Sequence, residues 1–152
     1  MRPAFYPPPN FLLPNPILQI QDLNVGFQNH RKNHSHPTTG WVVNNLSFEL
    51  GVNEVLGVVG ESGSGKSITN LAIMGLLPNQ AKVTFSKAVY AGQELDLNNQ
   101  KQLSKLRGKK IAMIFQDPMS SLNPALTVGY QLCEGLQYHL GINKKNSKDT
   151  KA

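Results

Sequence analysis

Three consecutive segments in the first half of the chain predict an α/β fold. Residues 54–59 form a short apolar run with three valines, which is typical of a buried strand. A glycine-rich stretch follows, and after it apolar residues recur at helical spacing until Pro78. A strand, a turn and a helix in this order indicate a sheet that is covered by helices.

The glycine-rich stretch matches the phosphate-binding pattern G-x-x-x-x-G-K-[ST] at every fixed position. Its three glycines are expected to adopt backbone conformations closed to other residues, so that N–H groups point at phosphate oxygens. The helix N-terminus adds partial positive charge. Lys66 is expected to reach the β- and γ-phosphates, and the Ser67 hydroxyl to bind Mg²⁺. The predicted nucleoside-triphosphate contacts are Gly60, Glu61, Ser62, Gly63, Ser64, Gly65, Lys66, Ser67 and Ile68.

Composition limits the classes of partner. The chain has 152 residues and a net charge of +6, part of it in a polar basic tail at 142–152. Basic residues are not interleaved with aromatics, so no nucleic-acid partner is expected. Cys133, the single cysteine, excludes an intrachain disulfide and predicts packing and a reducing, cytosolic setting. No apolar run reaches the length of a membrane span.

Two segments, one rich in proline and one polar, precede the predicted strand at 54–59. Residues 1–16 carry six prolines and predict an extended, mobile arm, either a plain leader or a ligand for a small adaptor domain. Residues 28–40 predict a hairpin loop. Because nothing fixes the orientation of its imidazole rings, a solvated loop is favoured over a metal site formed by His30, His34 and His36.

Alternating apolar residues predict strands on both sides of that loop: Leu23, Val25 and Phe27 before it, Leu46, Phe48 and Leu50 after it. Residues 83–90 predict further, antiparallel sheet. Residues 100–108 and 129–140 predict helices, the second amphipathic. Between them, the continuous apolar run 110–115 predicts a central parallel strand that is covered on both faces.

Gln116 directly follows this last predicted strand. In an open α/β sheet, ligands bind at the carboxyl ends of the strands. A neutral amide there would contact both Mg²⁺ and an attacking water without neutralising the metal. The alternative is a polar loop residue without a ligand, and the spacing alone leaves both interpretations open.

Two phrases together carry a resemblance to a known family. Residues 60–69 (GESGSGKSIT) and 114–124 (IFQDPMSSLNP) closely resemble the ATP-binding subunits of ABC importers, most of all the dipeptide/oligopeptide and nickel uptake branch. The likeness runs from about residue 17 to residue 140. It implies that residues 17–141 are the N-terminal part of a nucleotide-binding domain of the phosphate-loop NTPase fold, with an antiparallel β portion.

The resemblance also implies roles for individual residues. ATP and Mg²⁺ are the expected cofactors, and Lys66 and Gln116 the expected catalytic residues. Gln116 would sense the γ-phosphate and join Ser67 in binding Mg²⁺. Phe27 lies where the family has an aromatic residue that stacks on adenine, although it would equally serve as a core residue that ends its strand.

The implied function is ATP binding that powers peptide or nickel import. The implied partners are membrane-spanning permease subunits and a second ATP-binding subunit, with the chain peripheral on the cytoplasmic face of the membrane. The family's signature sequence, its general-base glutamate and its switch histidine have no counterpart in this sequence. We therefore expect a chain truncated before the rest of the helical subdomain, and whether it is an enzyme stays open. A non-catalytic remnant that only binds nucleotide and a small-molecule kinase are the alternatives.

Overall fold

A computed structural model describes residues 16–29, 38–116 and 122–141. The predicted arm, apart from Pro16, the three loop histidines His30, His34 and His36, and the basic tail lie outside these residues. The chain divides into two compact units, the first ending at Leu103 and the second beginning at Ser104.

The first unit contains one antiparallel sheet. In the described ranges its strands are β1 (Leu18–Asn29), β2 (Thr38–Leu50), β3 (Ala81–Thr84), β4 (Lys87–Tyr90) and β5 (Gln93–Glu94). The strand order is β2-β1-β4-β5, and β3 also pairs with β1. All these pairings are antiparallel, as predicted. The first two strands are longer than their alternating residues predict, because hydrogen bonding continues beyond the apolar pattern.

Strand β1 lies at the centre of the sheet. It pairs with β2 along one edge, while residues 18–21 pair with β4 and residues 24–27 with β3 along the other. Asp22 separates these two stretches and adopts a φ of 52°. Its backbone N–H donates to the Ser47 hydroxyl at 2.9 Å, and its carboxylate accepts from the Ser86 hydroxyl. Side-chain hydrogen bonds thus stabilise the irregular point at which one strand changes partners.

The core of this unit lies between the sheet and helix α1 (Lys66–Met74). Ile20, Leu23 and Val25 of β1 are fully buried, which confirms the predicted apolar face of that strand. Helix α1 contacts β1 and β2 and buries Thr69, Ala72, Ile73 and Met74. Each large aliphatic side chain buried in this way contributes about 1.5–3 kcal/mol.

Helix α1 ends against the start of helix α2 (Gln100–Leu106). Gly75 terminates α1 with a left-handed φ of 63°. The Gln100 side-chain amide donates to the Gly75 carbonyl at 2.9 Å, and the buried Leu103 side chain occupies the space that a Cβ at position 75 would need. Both helices were predicted, and their contact fixes the C-terminal end of α1.

The buried strand predicted at 54–59 is wrong. None of the described residues pairs with this run, and it belongs to no helix or strand. Val55 and Val59 are 94% and 93% exposed. A strand of a parallel sheet is stable only when neighbouring strands satisfy its backbone and helices cover its faces. Residues 54–59 therefore remain an apolar segment without helix or strand before α1.

In the second unit, the strand predicted at 110–115 is also wrong. Ile111 forms one isolated parallel bridge with Arg107, and residues 112–115 have no ladder among the described residues. Ile114 is 97% exposed. The physical reason is the same as for 54–59, because a central strand cannot form without partners on its edges.

The second unit also contains helix α3 (Val128–Leu140), where a helix was predicted. Thr127 caps its N-terminus by accepting from the Tyr130 N–H at 3.3 Å, and Gly141 ends it with a φ of 64°. No side chain of α3 is buried, and Cys133 is half-buried. In the part of the chain that the structure describes, every helix is too short or too polar to span a bilayer.

Candidate nucleotide-binding site

The loop at 60–67 follows the apolar segment at 54–59 and runs into the first residues of α1. Gly63 and Gly65 have φ values of 80° and 93°, in the left-handed region that favours glycine, as predicted. Gly60 does not adopt a positive φ, so the predicted reason for this glycine is wrong. A Cβ at Gly60 would instead lie 2.6 Å from the Ser64 Oγ, and the absence of a side chain is what lets Ser64 fold back over it.

The start of α1 offers backbone donors to an anion. Gly65 occupies the N-cap position and provides no side-chain cap. The first helical hydrogen bond runs from the Thr69 N–H to the Gly65 carbonyl at 2.8 Å. The amides of Lys66, Ser67 and Ile68 therefore lie outside the helix's own hydrogen bonds. Because the first turn contains no acidic residue, nothing in it opposes the partial positive charge that attracts a phosphate group.

Lys66 directs its charge back into the loop. Its ammonium donates to the carbonyls of Gly60 and Glu61, both at 2.7 Å, and to the Ser64 hydroxyl at 3.2 Å. An ammonium group has three N–H donors, so these three acceptors satisfy all of them. The cation therefore lies within the loop and next to the α1 N-terminus.

The remaining predicted contacts differ in exposure. Glu61, Ser62, Ser64 and Ser67 are exposed, and Ile68 is half-buried. The described residues contain no cluster of three or more His, Cys, Asp or Glu side chains that would hold a metal by themselves. Magnesium is usually held by one or two protein oxygens together with substrate phosphates and water. The donors present here, amides, one ammonium and hydroxyls, thus fit a nucleotide that brings its own Mg²⁺.

Strand β2 packs against the loop at Gly65, a contact that the sequence did not predict. A Cβ at Gly65 would lie 3.0 Å from the Val43 Cγ2 and 3.3 Å from the Val42 carbonyl oxygen. The first turn of α1 thus packs directly on β2. Buried Thr69 strengthens this arrangement, since its hydroxyl also donates to the Gly65 carbonyl at 3.0 Å. The contacts of Gly65 with Val42 and Val43 join residues more than twenty positions apart, and no local pattern indicates them.

Phe27 lies on the sheet face that carries the loop. Its neighbour two residues earlier on that face, Val25, pairs with Val43, and Val43 abuts Gly65. The cross-strand neighbours of Phe27 are Gly40 and Ala81, both small. The half-buried ring is therefore not covered by a large cross-strand side chain.

Trp41 provides a contrast on the opposite sheet face. It pairs with Gly26, which in turn pairs with Lys82, and side chains of adjacent residues in a strand point to opposite faces. The Lys82 ammonium lies 5.9 Å from the centroid of the Trp41 ring, so the two side chains interact across the glycine.

Gln116 belongs to the second unit, whereas the loop belongs to the first. Its side chain is exposed, and residues 117–121 of the adjacent phrase lie outside the described part of the chain. The structure brings together residues 60–68, β2 and the Phe27 face of the sheet. A joint action of Gln116 with Ser67 stays a prediction.

Gln131 is a second residue that the sequence analysis missed. Its side-chain carbonyl accepts from the Asn123 N–H at 2.8 Å, and its amide donates to the Asn123 and Leu126 carbonyls, both at 3.0 Å. Helix α3 thereby holds the backbone at 123–126 through hydrogen bonds, next to the end of the phrase at 114–124. A single glutamine in a polar helix turn gives no local signal of this contact.

Comparisons with known proteins agree with the resemblance. A family model described as "ABC transporter" matches residues 43–152. The dipeptide transport ATP-binding protein DppD of Haemophilus influenzae is 42% identical over 133 residues, which are 88% of this chain and 38% of that protein. DppD of Escherichia coli is 46% identical over 132 residues, 87% of this chain and 38% of that protein.

The oligopeptide transport ATP-binding protein OppD of Haemophilus influenzae is 45% identical over 133 residues, 88% of this chain and 39% of that protein. The chain thus spans less than half the length of these curated relatives. Because the family model covers well over half of the chain, including the whole loop at 60–67, the chain belongs to the ABC transporter family and its fold class is that of the phosphate-loop ATPase domain.

Proposed function

We propose that residues 60–68 bind Mg-ATP and that the chain acts as part of the ATPase subunit of a peptide importer. The observation that carries this proposal is the loop around Lys66. A fully hydrogen-bonded ammonium lies beside three helix-terminal amides, with no acid in the first turn of α1. This arrangement suits a polyphosphate, because donors and charge are held in place before the ligand arrives.

Each part of the nucleotide has a proposed contact. The amides of residues 62–68 and the Lys66 ammonium would hold the β- and γ-phosphates, and Ser67 would hold Mg²⁺. Phe27 would stack on adenine from the sheet face that also supports Gly65. Gln116 would complete the metal site and orient water. Bound Mg²⁺ would supply charge neutralisation at the phosphates.

The proposed transport function rests on the relatives. Those reported above are named as dipeptide and oligopeptide transport proteins, which favours peptide over nickel as the transported substrate. We propose that the chain functions on the cytoplasmic face of the membrane, with permease subunits and a second ATP-binding subunit. The phrase that begins at Gln116 is the proposed contact with the permease.

A titration of ATP with and without Mg²⁺ tests the site. We expect binding in both conditions and tighter binding with Mg²⁺, because the Ser67 hydroxyl contributes only through the metal. The Ser67→Ala variant should lose most of the Mg²⁺ dependence, and the Ser62→Ala variant, which removes a hydroxyl from the same loop, should keep it. Equal Mg²⁺ dependence in all three proteins would exclude Ser67 as the metal ligand.

Phosphate release from the purified chain tests the catalytic part of the proposal. Residues 1–152, the chain to be assayed, contain no match to the general base that the resemblance implies, and positioned acid–base catalysis contributes about 10²–10⁴-fold. We therefore expect turnover at least about 10²-fold slower than that of a full-length relative, despite ATP binding. Turnover equal to the relative's and dependent on Lys66 would contradict this, since another residue would then activate the water.

A further inference from the structure

The three hydrogen bonds of the Lys66 ammonium are not equivalent. Two acceptors are backbone carbonyls, those of Gly60 and Glu61, at 2.7 Å. The third is the Ser64 hydroxyl, at 3.2 Å. The third bond is the longest and involves the only acceptor that can turn away by a side-chain rotation. Of the three bonds, it is the easiest to break.

A phosphate oxygen that approaches Lys66 meets an ammonium with no spare N–H, because three donors already have three acceptors. One of the existing bonds must therefore yield. Breaking a carbonyl bond would lose one of the two shorter bonds, at 2.7 Å, to an acceptor that moves only with the backbone of the loop. Rotating Ser64 leaves an exposed hydroxyl that water satisfies at once.

We propose that Ser64 is an exchangeable partner of Lys66, which holds the third N–H of the ammonium in the nucleotide-free loop and releases it to the phosphate. Ser64 is thus a positioning residue that acts through Lys66. Gly60 is part of the same device, because a Cβ at that position would lie 2.6 Å from the Ser64 Oγ and would push the hydroxyl away. This inference rests on the proposed function for the phosphate, but the nucleotide-free contact is independent of it.

The test follows the Lys66 ammonium by NMR in ¹⁵N-lysine-labelled full chain, with Lys66→Arg used to assign the signal. Hydrogen exchange of the ammonium protons is measured without nucleotide and with saturating Mg-ATP. Ser64→Ala should accelerate exchange in the nucleotide-free protein by roughly two- to tenfold, the range expected for one net hydrogen bond. With Mg-ATP bound, the variant and the wild type should exchange at the same rate, since Ser64 is then no longer the partner.

Two further variants keep the test decisive. Ser64→Thr retains the hydroxyl and should behave as the wild type in both states, and Thr84→Ala, which removes an exposed hydroxyl outside the loop, should leave the Lys66 signal unchanged. If Ser64→Ala accelerates exchange equally in both states, Ser64 holds Lys66 permanently and the exchange proposal is wrong. If it has no effect without nucleotide, the contact itself is absent in solution. If ATP fails to bind at all, the proposed function fails, while the nucleotide-free measurement still tests the contact.

Discussion

Strands β1 and β2 of the antiparallel sheet and the two apolar runs at 54–59 and 110–115 were all predicted from apolar residues but have different outcomes. The sheet forms with a buried β1, whereas the apolar runs find no ladder among the described residues. Strands β1 and β2 pair antiparallel and are close in the sequence, since β1 ends at Asn29 and β2 begins at Thr38. A central parallel strand needs partners that connect through crossovers of a dozen residues or more. Apolar sequence therefore creates the capacity to form a strand, and only available partners make it one.

The loop at 60–67 resembles the antiparallel sheet, because its hydrogen-bonding partners are present among the described residues. Its hydrogen bonds join residues at most six positions apart, and its support comes from β2 through Gly65. The loop consequently forms even though the apolar segment before it does not form a strand. The geometry of the loop therefore depends on β2 and does not require a strand at 54–59.

The largest expected difference between the two regions is the loss in the free energy of unfolding when a valine in each is replaced by alanine. Val25→Ala should lower the free energy of unfolding by roughly 1.5–3 kcal/mol, because Val25 has no exposed surface and its side-chain burial is lost. Val59→Ala should change it by no more than about 0.5 kcal/mol, because Val59 is 93% exposed. Denaturant titrations of the two variants beside the wild type provide the measurement.

Equal destabilisation by the two substitutions would contradict the comparison. It would mean that Val59 is buried in solution and that residues 54–59 have found partners. The slope of the free energy of unfolding against denaturant concentration checks this outcome independently. If additional sheet formed in the wild type, this slope would exceed the value expected for the surface buried in the present structure.

A smaller effect sharpens the account of the sheet's two faces. Phe27→Ala should weaken ATP binding by about 1 kcal/mol, roughly fivefold, if the ring stacks on adenine, and Phe27→Trp should be nearly neutral. Trp41→Ala is the matched control, because it removes an aromatic ring from the adjacent row on the opposite face. Calorimetric titration with ATP measures all three.

The two interpretations of Phe27 predict different results in that series. If Phe27→Ala leaves ATP affinity intact and lowers the melting temperature, Phe27 is a core residue that ends its strand. If Trp41→Ala weakens binding as much as Phe27→Ala, the nucleotide does not select the face that carries the loop, and the stacking proposal fails.

Local patterns predicted the parts of the fold that depend on local contacts. The alternation at Leu23 and Val25, the helix after the loop and the left-handed Gly63 and Gly65 follow from residue type and spacing, and the structure confirms them. The motif likewise identified Lys66, whose charge the loop surrounds. The motif requires a glycine at position 60, but the predicted reason, a positive φ, is wrong. The motif alone does not distinguish a positive φ from a close approach of another side chain, here that of Ser64.

The features that were missed depend on long-range contacts. Val43 beneath Gly65 is distant in sequence from the residue it supports, and the bonds of Gln131 to Asn123 and Leu126 need a particular folding of the backbone onto α3. The failed strands at 54–59 and 110–115 share this cause. The hydrophobicity of a segment indicates that it prefers burial, but it does not indicate whether other strands and helices are available to cover it.

The most direct test of the central claim is the Lys66→Ala substitution in a calorimetric titration. The claim is that a loop formed by local contacts binds the triphosphate without a completed parallel sheet. A charged hydrogen bond to phosphate is worth about 1.5–3 kcal/mol, so the variant should bind ATP roughly tenfold to hundredfold more weakly, with a smaller loss for ADP. Unchanged ATP affinity in a folded Lys66→Ala chain would contradict the assignment of residues 60–67 as the nucleotide site.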